Sequence, residues 1–429
     1  MSKNYFYAMF GKDYNIGNLS EEIFYVLLKA KRQNKKLILI RKSLIFKDIM
    51  LSALKLKQPK SIYGIKSNYM QNNDTTLSKL VALYGGSYVF IAYLFESVRY
   101  KFAVILKKIF NIEILKAKFD PLVPALGVED IFNINRNKSF SFTNEDIKYW
   151  EEALSTKFEI NFKDNIEKLG KESFKKLGLD KYPWYVCLHI RTPFFHNAES
   201  DAFRNSSIAN YYDAIKYITS RGGAVVRMGD PISDVKEIEG FINYPNGDEK
   251  TEEMDLYLIN NCKFYIGTTS GIHDVAMLFG VPVLSVNTTD FVFVKPYKEC
   301  DSYIYKHIFS KKDNRILTFK ELLDEPFFVH SNVAVAMDMK KLHENYKFIE
   351  NSSEDISIAV KNILNNIDNN TFTRGESQVI FSSHLNDSVL KWIQNESWFK
   401  KNTEQAYRVF SKEQYNGSID KDFCEKYYN

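Results

Sequence analysis

The chain has 429 residues, of which 45% are hydrophobic, and it carries a formal net charge of +5. This length exceeds what one hydrophobic core usually serves, so two domains with an appendage are expected. The four cysteines form no C-x-x-C pair, which argues against a disulfide framework or a thiolate zinc site and favours a reducing compartment. Because we recognise neither a secretory leader nor an uncharged apolar run of about 18 residues, we predict a cytoplasmic protein.

The positive charge is concentrated in the first part of the chain. Residues 1–118 contain 21 Lys and Arg against 7 Asp and Glu, a net of +14, so the remainder carries −9. A basic first domain favours an anionic partner, such as the inner face of a membrane, a lipid-linked acceptor or a nucleic acid. A lysine-rich solvated surface without a partner explains the same charge. No nucleic-acid recognition motif accompanies it, so we predict no nucleic-acid partner.

The first domain is predicted to begin as an α/β unit. A strand at 5–10 leads into a helix that Ser20 would cap, with Glu21 and Glu22 in its first turn. A short buried strand follows at 37–40. This order of strand, helix and strand is the beginning of a βαβ unit.

Two further predictions concern the rest of the first domain. Residues 88–110 are predicted to form a helix that mixes apolar and basic residues, and it would lie either in the core or on a membrane surface. Helices are also predicted at 144–157 and 165–177, before Gly178 and Pro183 interrupt the pattern. We therefore predict three parts: a first domain at 1–175, a second domain at 176–366 and a helical C-terminal extension at 367–429.

The central stretch, residues 181–231, is predicted to form a βαβ unit with parallel strands. Apolar runs at 184–190 and 224–228 are typical of buried strands, and apolar residues recur at helical spacing over 208–218. Ser206 or Ser207 would cap this helix. Ligands of open parallel sheets bind outside the carboxyl ends of the strands, which is where the sequence places four polar side chains: His189, Arg191, Arg227 and Asp230.

The pattern of strand and helix continues along the second domain. It predicts, in order, a helix at 251–262, a strand at 263–267, a helix at 272–279 and a strand at 282–286 that ends at Asn287. Later helices are predicted at 318–324 and 352–365, and Ser352 or Ser353 followed by Glu354 is a capping signal for the second. Alternation of this kind predicts a doubly wound α/β domain.

The most specific local pattern is Tyr265-Ile-Gly-Thr-Thr-Ser-Gly271. A buried strand stops at a glycine, and Thr268, Thr269 and Ser270 then open a helix at Gly271. The free backbone N–H groups of a helix N-terminus, with hydroxyls beside them, favour an anion such as the diphosphate of a nucleotide. Simple N-capping by Thr269 or Ser270 explains the same residues.

Three arginines near one predicted sheet edge, Arg191, Arg204 and Arg227, indicate a second element of an anion site. An arginine at the end of a buried strand is costly unless it meets a negative charge, and its forked donors suit phosphate. Each arginine would alternatively pair with an acid. His189 would polarise a substrate, donate to phosphate or act as a base, or it would serve only as a structural hydrogen-bond partner.

Metal-dependent and serine-hydrolase chemistry find no support in the sequence. There is no H-E-x-x-H pattern, no cluster of carboxylates and no D-x-D at the end of an apolar run. There is also no G-x-S-x-G nucleophile motif. We therefore predict no metal site.

Four segments carry a resemblance to known enzymes: CLHIR, RNSSIANYYDAIKYI, VVRMGD and FYIGTTSGIHDVAMLFGVPVLSVN. Over roughly residues 182–290 they resemble a group of bacterial glycosyltransferases of surface-polysaccharide and cell-envelope gene clusters. More remotely, His189-Ile-Arg191 and the strand–Thr-x-Ser–helix arrangement are similar to the fucosyltransferase-like branch of GT-B enzymes. Phe194 stands where that branch has an acidic residue, three positions after the arginine.

The resemblance implies an α/β, GT-B-like fold with two Rossmann-like doubly wound domains facing a cleft and a helical C-terminal tail. It implies a nucleotide-sugar donor in the second domain, a glycan or lipid-linked acceptor in the first, and no obligatory metal or other cofactor. In the related branch the arginine and the hydroxyl residues hold the donor's diphosphate, which gives that role to Arg191, Thr269 and Ser270 here. The pocket around the donor would be shaped by Arg204, Asn205, Arg227, Gly229, Asp230, Thr268, Gly271 and Asn287.

The sequence thus predicts a glycosyltransferase that moves a sugar from a nucleotide-sugar to an acceptor hydroxyl in surface-glycan biosynthesis. Arg191 and His189 are the predicted catalytic residues of the second domain. Glu21 is the candidate general base, chosen with Glu22 and Asp13 by position alone. The alternative is a non-catalytic nucleotide- or glycan-binding protein on the same fold.

Overall fold

The computed structural model describes part of the chain, and all structural statements concern that part. It comprises residues 5–9, 34, 36–40, 114–116, 162, 164–192, 203–289, 296–324, 344–395, 403–411, 413 and 415–428. No helix within these residues combines the length and the apolar character that crossing a membrane requires. The predictions for the segments around Ser20, 88–110 and 144–157 lie outside the described residues.

The described residues of the first part of the chain form a parallel sheet of three strands. β1 (Tyr5–Met9) lies in the middle, with β2 (Lys36–Ile40) on one side and β3 (Ile114–Lys116) on the other. Both neighbours run parallel to β1. The strands predicted at 5–10 and 37–40 are confirmed, and β3 is an addition that the sequence analysis missed.

A second parallel sheet of seven strands forms the centre of the larger unit. All neighbouring pairs in it run parallel, and five of its strands are buried along most of their length. The α/β class and the doubly wound domain are therefore confirmed. In chain order the strands are β4 (Tyr185–His189), β5 (Ala224–Met228), β6 (Phe241–Ile242), β7 (Tyr265–Gly267), β8 (Val283–Thr288), β9 (Ser302–Tyr305) and, near the end of the chain, β13 (Ser418–Ile419).

The order of these strands fixes where a ligand would bind. Across the sheet the order is β13-β9-β8-β7-β4-β5-β6. The chain therefore proceeds from β4 outward through β5 to β6, and then returns to the opposite side of β4 to continue through β7, β8 and β9. The order reverses between β4 and β7, and in doubly wound sheets the crevice at the carboxyl ends of two such strands is the ligand site.

Helices surround the seven-stranded sheet and pack against one another in pairs. Helix α2 (Tyr212–Ser220) packs against α6 (Ser353–Asn369), and α1 (Asp164–Lys176) packs against α3 (Glu252–Asn261). The buried positions of α2, among them Ile215 and Ile218, follow the predicted helical spacing. The remaining helices of the described residues are α4 (Gly271–Leu278), α5 (Phe319–Asp324), α7 (Glu376–Asn395), α8 (Thr403–Phe410) and α9 (Lys421–Tyr427).

The observed units differ from the predicted domain boundaries. By its contacts the chain divides into one unit of residues 1–140 with 195–197 and a second of residues 141–194 with 198–429. Helix α1, predicted to close the first domain, belongs to the second because it packs against α3. The tail at 367–429, predicted as an extension, adds β13 to the edge of the main sheet and pairs there with β9.

A small antiparallel sheet follows the main sheet in the chain. It consists of β10 (His307–Ser310), with β11 (Arg315–Ile316) and β12 (Tyr346–Ile349) on its two sides. The sequence analysis missed these strands, and it also missed β6, β9 and β13. Several of them have only two residues, which is too short for a periodic pattern.

The C-terminal helix α9 is held against the beginning of α6 by one buried carboxylate. Asp355 forms a capping box with Ser352, so the acid of the box is Asp355 and not the predicted Glu354. It also accepts hydrogen bonds from Lys426 Nζ at 3.1 Å and from Tyr427 Oη at 2.9 Å. The imidazole of His307 lies 3.9 Å away. The C-terminal residues are thereby attached to the main unit.

Asp355→Asn is expected to destabilise the protein at neutral pH and much less in acid. Burial alone raises the pKa of Asp355, but the nearby imidazole of His307 and hydrogen bonds from Ser352, Lys426 and Tyr427 outweigh it and hold the pKa below its usual value. A carboxyl whose pKa is lowered by folding stabilises the protein above its unfolded pKa of about 3.9, and this stabilisation is lost as the pH falls through the folded value.

The measurement is the melting temperature of the parent and of Asp355→Asn between pH 7 and pH 3. We expect a loss of about 2 kcal/mol at pH 7, the scale for a charged acceptor of several hydrogen bonds, and a difference that narrows below about pH 4. Glu354→Gln is the matched control, because Glu354 is an exposed acid beside Asp355 that contacts the same lysine. A difference that stays constant down to pH 3 contradicts the proposed cause.

Candidate functional site

The N-terminus of helix α4 presents polar groups that lack hydrogen-bond partners among the described residues. Strand β7 ends at Gly267, and Ser270 is the N-cap residue, but its side chain makes no capping hydrogen bond. Thr268 is only 2% exposed. The buried hydroxyl oxygens of Thr268 and Thr269 have no hydrogen-bond partner within the described residues. Since buried hydroxyls are normally paired, side-chain capping does not account for this Thr-Thr-Ser sequence.

Strands β4 and β7 bring their carboxyl ends together at the switch point. His189 stands opposite Gly267 in the register of the two strands. A Cβ atom on Gly267 would lie 3.0 Å from the carbonyl oxygen of His189 and 2.8 Å from the Tyr265 hydroxyl. Only glycine therefore fits at this position. Arg191 and Thr269, each two residues further along, therefore follow the ends of two neighbouring strands.

Arg191 lies directly beyond β4 and is half-buried. Its backbone carbonyl accepts a hydrogen bond from Ser206 N at 3.1 Å. After burial, its charge is the next cause that lowers the pKa of His189. Of the three predicted arginines, Arg191 alone lies just beyond a strand of the switch point, two residues after the end of β4.

His189 is held as a neutral imidazole. Burial is the main cause that lowers its pKa to about 3, followed by the charges of Arg191, Arg227 and Lys250 and by His273. Its Nδ1 atom is buried and has no hydrogen-bond partner in the described part of the chain. A group with such a pKa is a weak base at neutral pH, so the geometry favours a hydrogen-bonding role over proton abstraction.

Arg227 is fully buried, and the fold itself surrounds its guanidinium with acceptors. Nε donates to Asn243 Oδ1 at 2.5 Å, and Nη1 donates to the Asp230 carbonyl oxygen at 2.7 Å. Nη2 donates to Asn246 Oδ1 at 3.3 Å. Burial lowers the pKa of Arg227 to about 10, and the charge of Asp230 opposes this shift. The structure thus gives Arg227 a role in fixing the turn after β5.

This turn brings Gly229 and Asp230 beside the end of β4. Gly229 has a φ angle of 95°, and a Cβ atom there would lie 3.0 Å from the imidazole of His189. Both facts require glycine. The carboxylate of Asp230 accepts a hydrogen bond from Thr192 Oγ1 at 3.0 Å. Thr192 is a neighbour of Arg191 that the sequence analysis did not single out.

Arg204 and Asn205 belong to a segment that lies against the same edge of the sheet. Arg204 Nη2 donates to the backbone carbonyl of Thr269 at 2.6 Å, which ties this segment to the turn before α4. The carbonyl oxygen of Asn205 accepts a hydrogen bond from Lys306 Nζ. Both residues therefore lie near the predicted anion site, and both have contacts within the protein.

The side chain of Asn287 is hydrogen-bonded to other protein groups in the described part of the chain. It has a positive φ of 53° at the end of β8 and is 1% exposed. Its amide donates to Tyr211 Oη at 3.1 Å. It also exchanges two 2.7 Å hydrogen bonds with Asn351, each side-chain oxygen accepting from the other's backbone N–H. These contacts give Asn287 a structural role at the rim of the site.

The remaining predictions concern a general base and a metal site. Glu21, Glu22 and Asp13 lie outside the described residues. The described residues contain no group of three or more His, Cys, Asp or Glu that could hold a metal ion. The sequence analysis missed Lys306 and Glu350. A lysine inside the β-forming run Tyr303-Ile-Tyr-Lys-His-Ile-Phe309 could have indicated Lys306, because lysine in such a run is rarely buried without a partner.

Comparisons with known proteins give only distant matches. No known family matches the chain, and no curated protein does. A family 9 glycosyl transferase from Veillonella parvula has 10% identity, with 66% of this chain and 81% of that one covered and a TM-score of 0.33. The dodecameric iron-containing heptosyltransferase TibC, in complex with ADP-D-beta-D-heptose, has 10% identity, with 86% and 78% covered and a TM-score of 0.30.

A UDP-GlcNAc 2-epimerase from Methanocaldococcus jannaschii, in complex with UDP-GlcNAc and UDP, is a third match. Its identity is 11%, with 84% of this chain and 99% of that one covered and a TM-score of 0.23. Matches with TM-scores of this size establish neither a fold family nor an activity for this chain.

Proposed function

We propose that the protein is a glycosyltransferase that moves a sugar from a nucleotide-sugar to an acceptor hydroxyl. The observation that carries the proposal is the switch point between β4 and β7. There the buried hydroxyls of Thr268 and Thr269 have no partner in the described part of the chain, and they stand at a helix N-terminus after β7, while Arg191 follows the neighbouring strand β4. A diphosphate is the anion that such a site suits.

The same groups have a chemical task in sugar transfer. When the bond between the sugar and the diphosphate breaks, negative charge develops on the leaving oxygen. Hydrogen-bond donors that are already aimed at this oxygen stabilise the transition state more than the ground state. Arg191 would supply a charged fork of donors, and Thr269, Ser270 and the first N–H groups of α4 would supply neutral ones. His189, being neutral, would add a hydrogen bond and no charge.

Other parts of the proposal rest on the sequence. The two-domain GT-B-like arrangement, the acceptor site in the first part of the chain and the surface-glycan product all follow from the resemblance of residues 182–290. An inverting reaction needs a base that accepts the proton of the acceptor hydroxyl. Glu21 remains the candidate from the sequence, since the pKa of His189 makes it unsuitable at neutral pH.

The test is a panel of UDP-, GDP-, ADP- and CDP-sugars, scored for release of nucleoside diphosphate, with and without EDTA. We expect release with one donor class and undiminished release in EDTA, because protein donors rather than a metal would meet the leaving diphosphate. The free nucleoside diphosphate should raise the stability of the folded protein by about 2.7 kcal/mol at 100 times its Kd.

Each result of this panel has a distinct meaning. Binding without turnover in the presence of glycan acceptors identifies a non-catalytic nucleotide-binding protein. If EDTA abolishes the release of nucleoside diphosphate and Mg²⁺ or Mn²⁺ restores it, metal independence is contradicted, but the proposed transferase activity is not. Absence of binding to every nucleotide contradicts the proposed function.

A further inference from the structure

Four consecutive residues, Arg204 to Ser207, connect the elements of the candidate site, and we call them the bridge segment. Arg204 donates to the carbonyl of Thr269 before α4, at 2.6 Å. Ser206 N donates to the carbonyl of Arg191 after β4, at 3.1 Å. The bridge segment thus holds the backbones of the two residues that the proposed diphosphate site needs most.

The bridge segment is itself held by two residues of opposite charge. Lys306 Nζ donates to the carbonyl oxygen of Asn205 at 2.5 Å. The carboxylate of Glu350 accepts from Ser207 N at 2.8 Å and from Asn210 Nδ2 at 2.9 Å. The groups held by Lys306 and Glu350 therefore flank Ser206 N, the group that binds the carbonyl of Arg191.

Lys306 is the less expected member of this arrangement. It directly follows β9 and is only 4% exposed. Its backbone N–H donates to the carbonyl of Thr288 at the end of β8, at 2.8 Å, so the backbone of Lys306 is fixed to the sheet. A buried ammonium group is costly, because it loses its hydration. Burial indeed lowers the pKa of Lys306 to about 8, against the opposing charge of Glu350.

An apolar side chain would avoid this cost but could not bind a carbonyl oxygen. Among the described residues, Lys306 Nζ makes one charge-assisted hydrogen bond, to the bridge segment. The bond that follows it along the segment, from Ser206 N, holds Arg191. The benefit that offsets the burial of Lys306 thus lies in the position of the segment rather than in contact with a ligand.

We propose that Lys306 is a positioning residue for the diphosphate site, acting through Asn205 and Ser206 on Arg191. The inference rests on the proposed function, since it assumes that Arg191 binds a nucleoside diphosphate. Geometry at such sites matters, because displacement of a donor by about 1 Å can cost as much as 10²-fold in rate. Loss of the ammonium group should therefore weaken binding even though Lys306 does not touch the ligand.

The experiment is a double-mutant cycle between Lys306 and Arg191. The variants are Lys306→Met, Arg191→Ala and the double variant, and the readout is the Kd of the nucleoside diphosphate that stabilises the parent most. We expect Lys306→Met to raise this Kd about tenfold in the parent and less than about twofold in the Arg191→Ala background, because residues that act through one another are not additive.

Further variants separate positioning from general destabilisation. Lys306→Arg keeps a charged donor and should restore most of the affinity. Lys347→Met is the matched control, since Lys347 is an exposed lysine on β12, and it should leave the Kd unchanged. Melting temperatures are recorded for each variant, and Kd is measured well below the lowest of them. Glu350→Gln keeps an acceptor for Ser207 N and provides a milder change at the same bridge segment.

The outcomes distinguish this inference from the proposed function. If the parent binds a nucleoside diphosphate and Lys306→Met leaves Kd unchanged, or if the losses of Lys306→Met and Arg191→Ala are additive, the inference is overturned and the proposed function stands. If the parent binds none of the nucleotides, the proposed function is overturned and the inference with it.

Discussion

Replacing Arg191 with alanine is expected to reduce kcat/KM for sugar transfer by about 10²-fold or more, the scale for loss of a donor at a developing anion. Arg191 follows β4 at the switch point of the sheet, and the helix N-terminus with buried hydroxyls follows the neighbouring strand β7. Arg191→Lys should not restore full activity, because a point charge cannot reproduce the forked donors of a guanidinium. Ser270→Ala should cost less, since the backbone N–H groups of α4 remain.

The measurement combines steady-state kinetics with the Kd of the nucleoside diphosphate and the melting temperature of each variant. Arg221→Ala is the control, because Arg221 is an exposed arginine that follows α2. A purely structural role of Arg191 would lower the melting temperature and leave nucleotide affinity unchanged. If all variants bind the nucleotide as the parent does, the donor site lies elsewhere and our interpretation of this sheet edge is wrong.

The second large effect is expected at Arg227, and it should be an effect on stability. Arg227→Met removes a fully buried guanidinium and leaves Asn243 Oδ1 and the carbonyl of Asp230 without this donor, while Asn246 Oδ1 keeps only its hydrogen bond from Ile232 N. Such a loss costs about 3 kcal/mol. It corresponds to a fall in melting temperature of about 6–12 °C for a unit of this size.

Variants of Arg227 should lose stability, whereas variants of Arg191 should lose nucleotide affinity. Arg227→Lys should recover only part of the stability, since one ammonium group cannot replace donors that point to three acceptors. The folded fraction of Arg227→Met should bind nucleotide with an affinity close to that of the parent, because its guanidinium is already engaged within the fold. A normal melting temperature with lost nucleotide affinity would show instead that Arg227 contacts the ligand.

The two arginines show why residue type alone could not define the site. From the sequence, Arg191, Arg204 and Arg227 were equivalent candidates, each near the end of a strand or in the adjoining loop. In the structure Arg227 donates hydrogen bonds to acceptors that are 16 and 19 residues further along the chain. Arg204 donates to a backbone carbonyl that is 65 residues further along. Whether a buried charge is paired depends on such distant partners, and no local pattern encodes them.

The hydroxyl sequence before α4 illustrates the reverse case. Thr268, Thr269 and Ser270 were compatible with phosphate binding and with ordinary capping, and the sequence offered no way to separate these interpretations. The geometry of the turn rules out side-chain capping by Ser270, which occupies the N-cap position without a side-chain capping bond. A hydroxyl that is buried but unpaired within the described residues needs an external partner or water.

What the sequence determined by itself was the local structure of the second unit. The apolar runs at 184–190, 224–228 and 282–286 became buried strands. The predicted capping residue Ser207 caps a 3-10 turn at Ile208–Tyr211 that leads into α2, and Thr251, the first residue of the helix predicted at 251–262, caps α3. These features depend on neighbouring residues, because side-chain periodicity and capping act over a few positions. The positions of the polar residues at the strand ends were predicted in the same way, from where each apolar run stops.

Only the tertiary structure decided which strands are neighbours and which charges are paired. The reversal of strand order between β4 and β7 and the pairing of β13 with β9 join residues far apart in the chain. A two-residue strand such as β13 has no periodicity of its own and exists because β9 offers it an edge. The hydrogen bonds of Lys306 and Glu350 to the bridge segment likewise join residues more than 100 positions apart in the chain. Contacts of this kind depend on how the whole sheet is assembled, so the tertiary structure determines them.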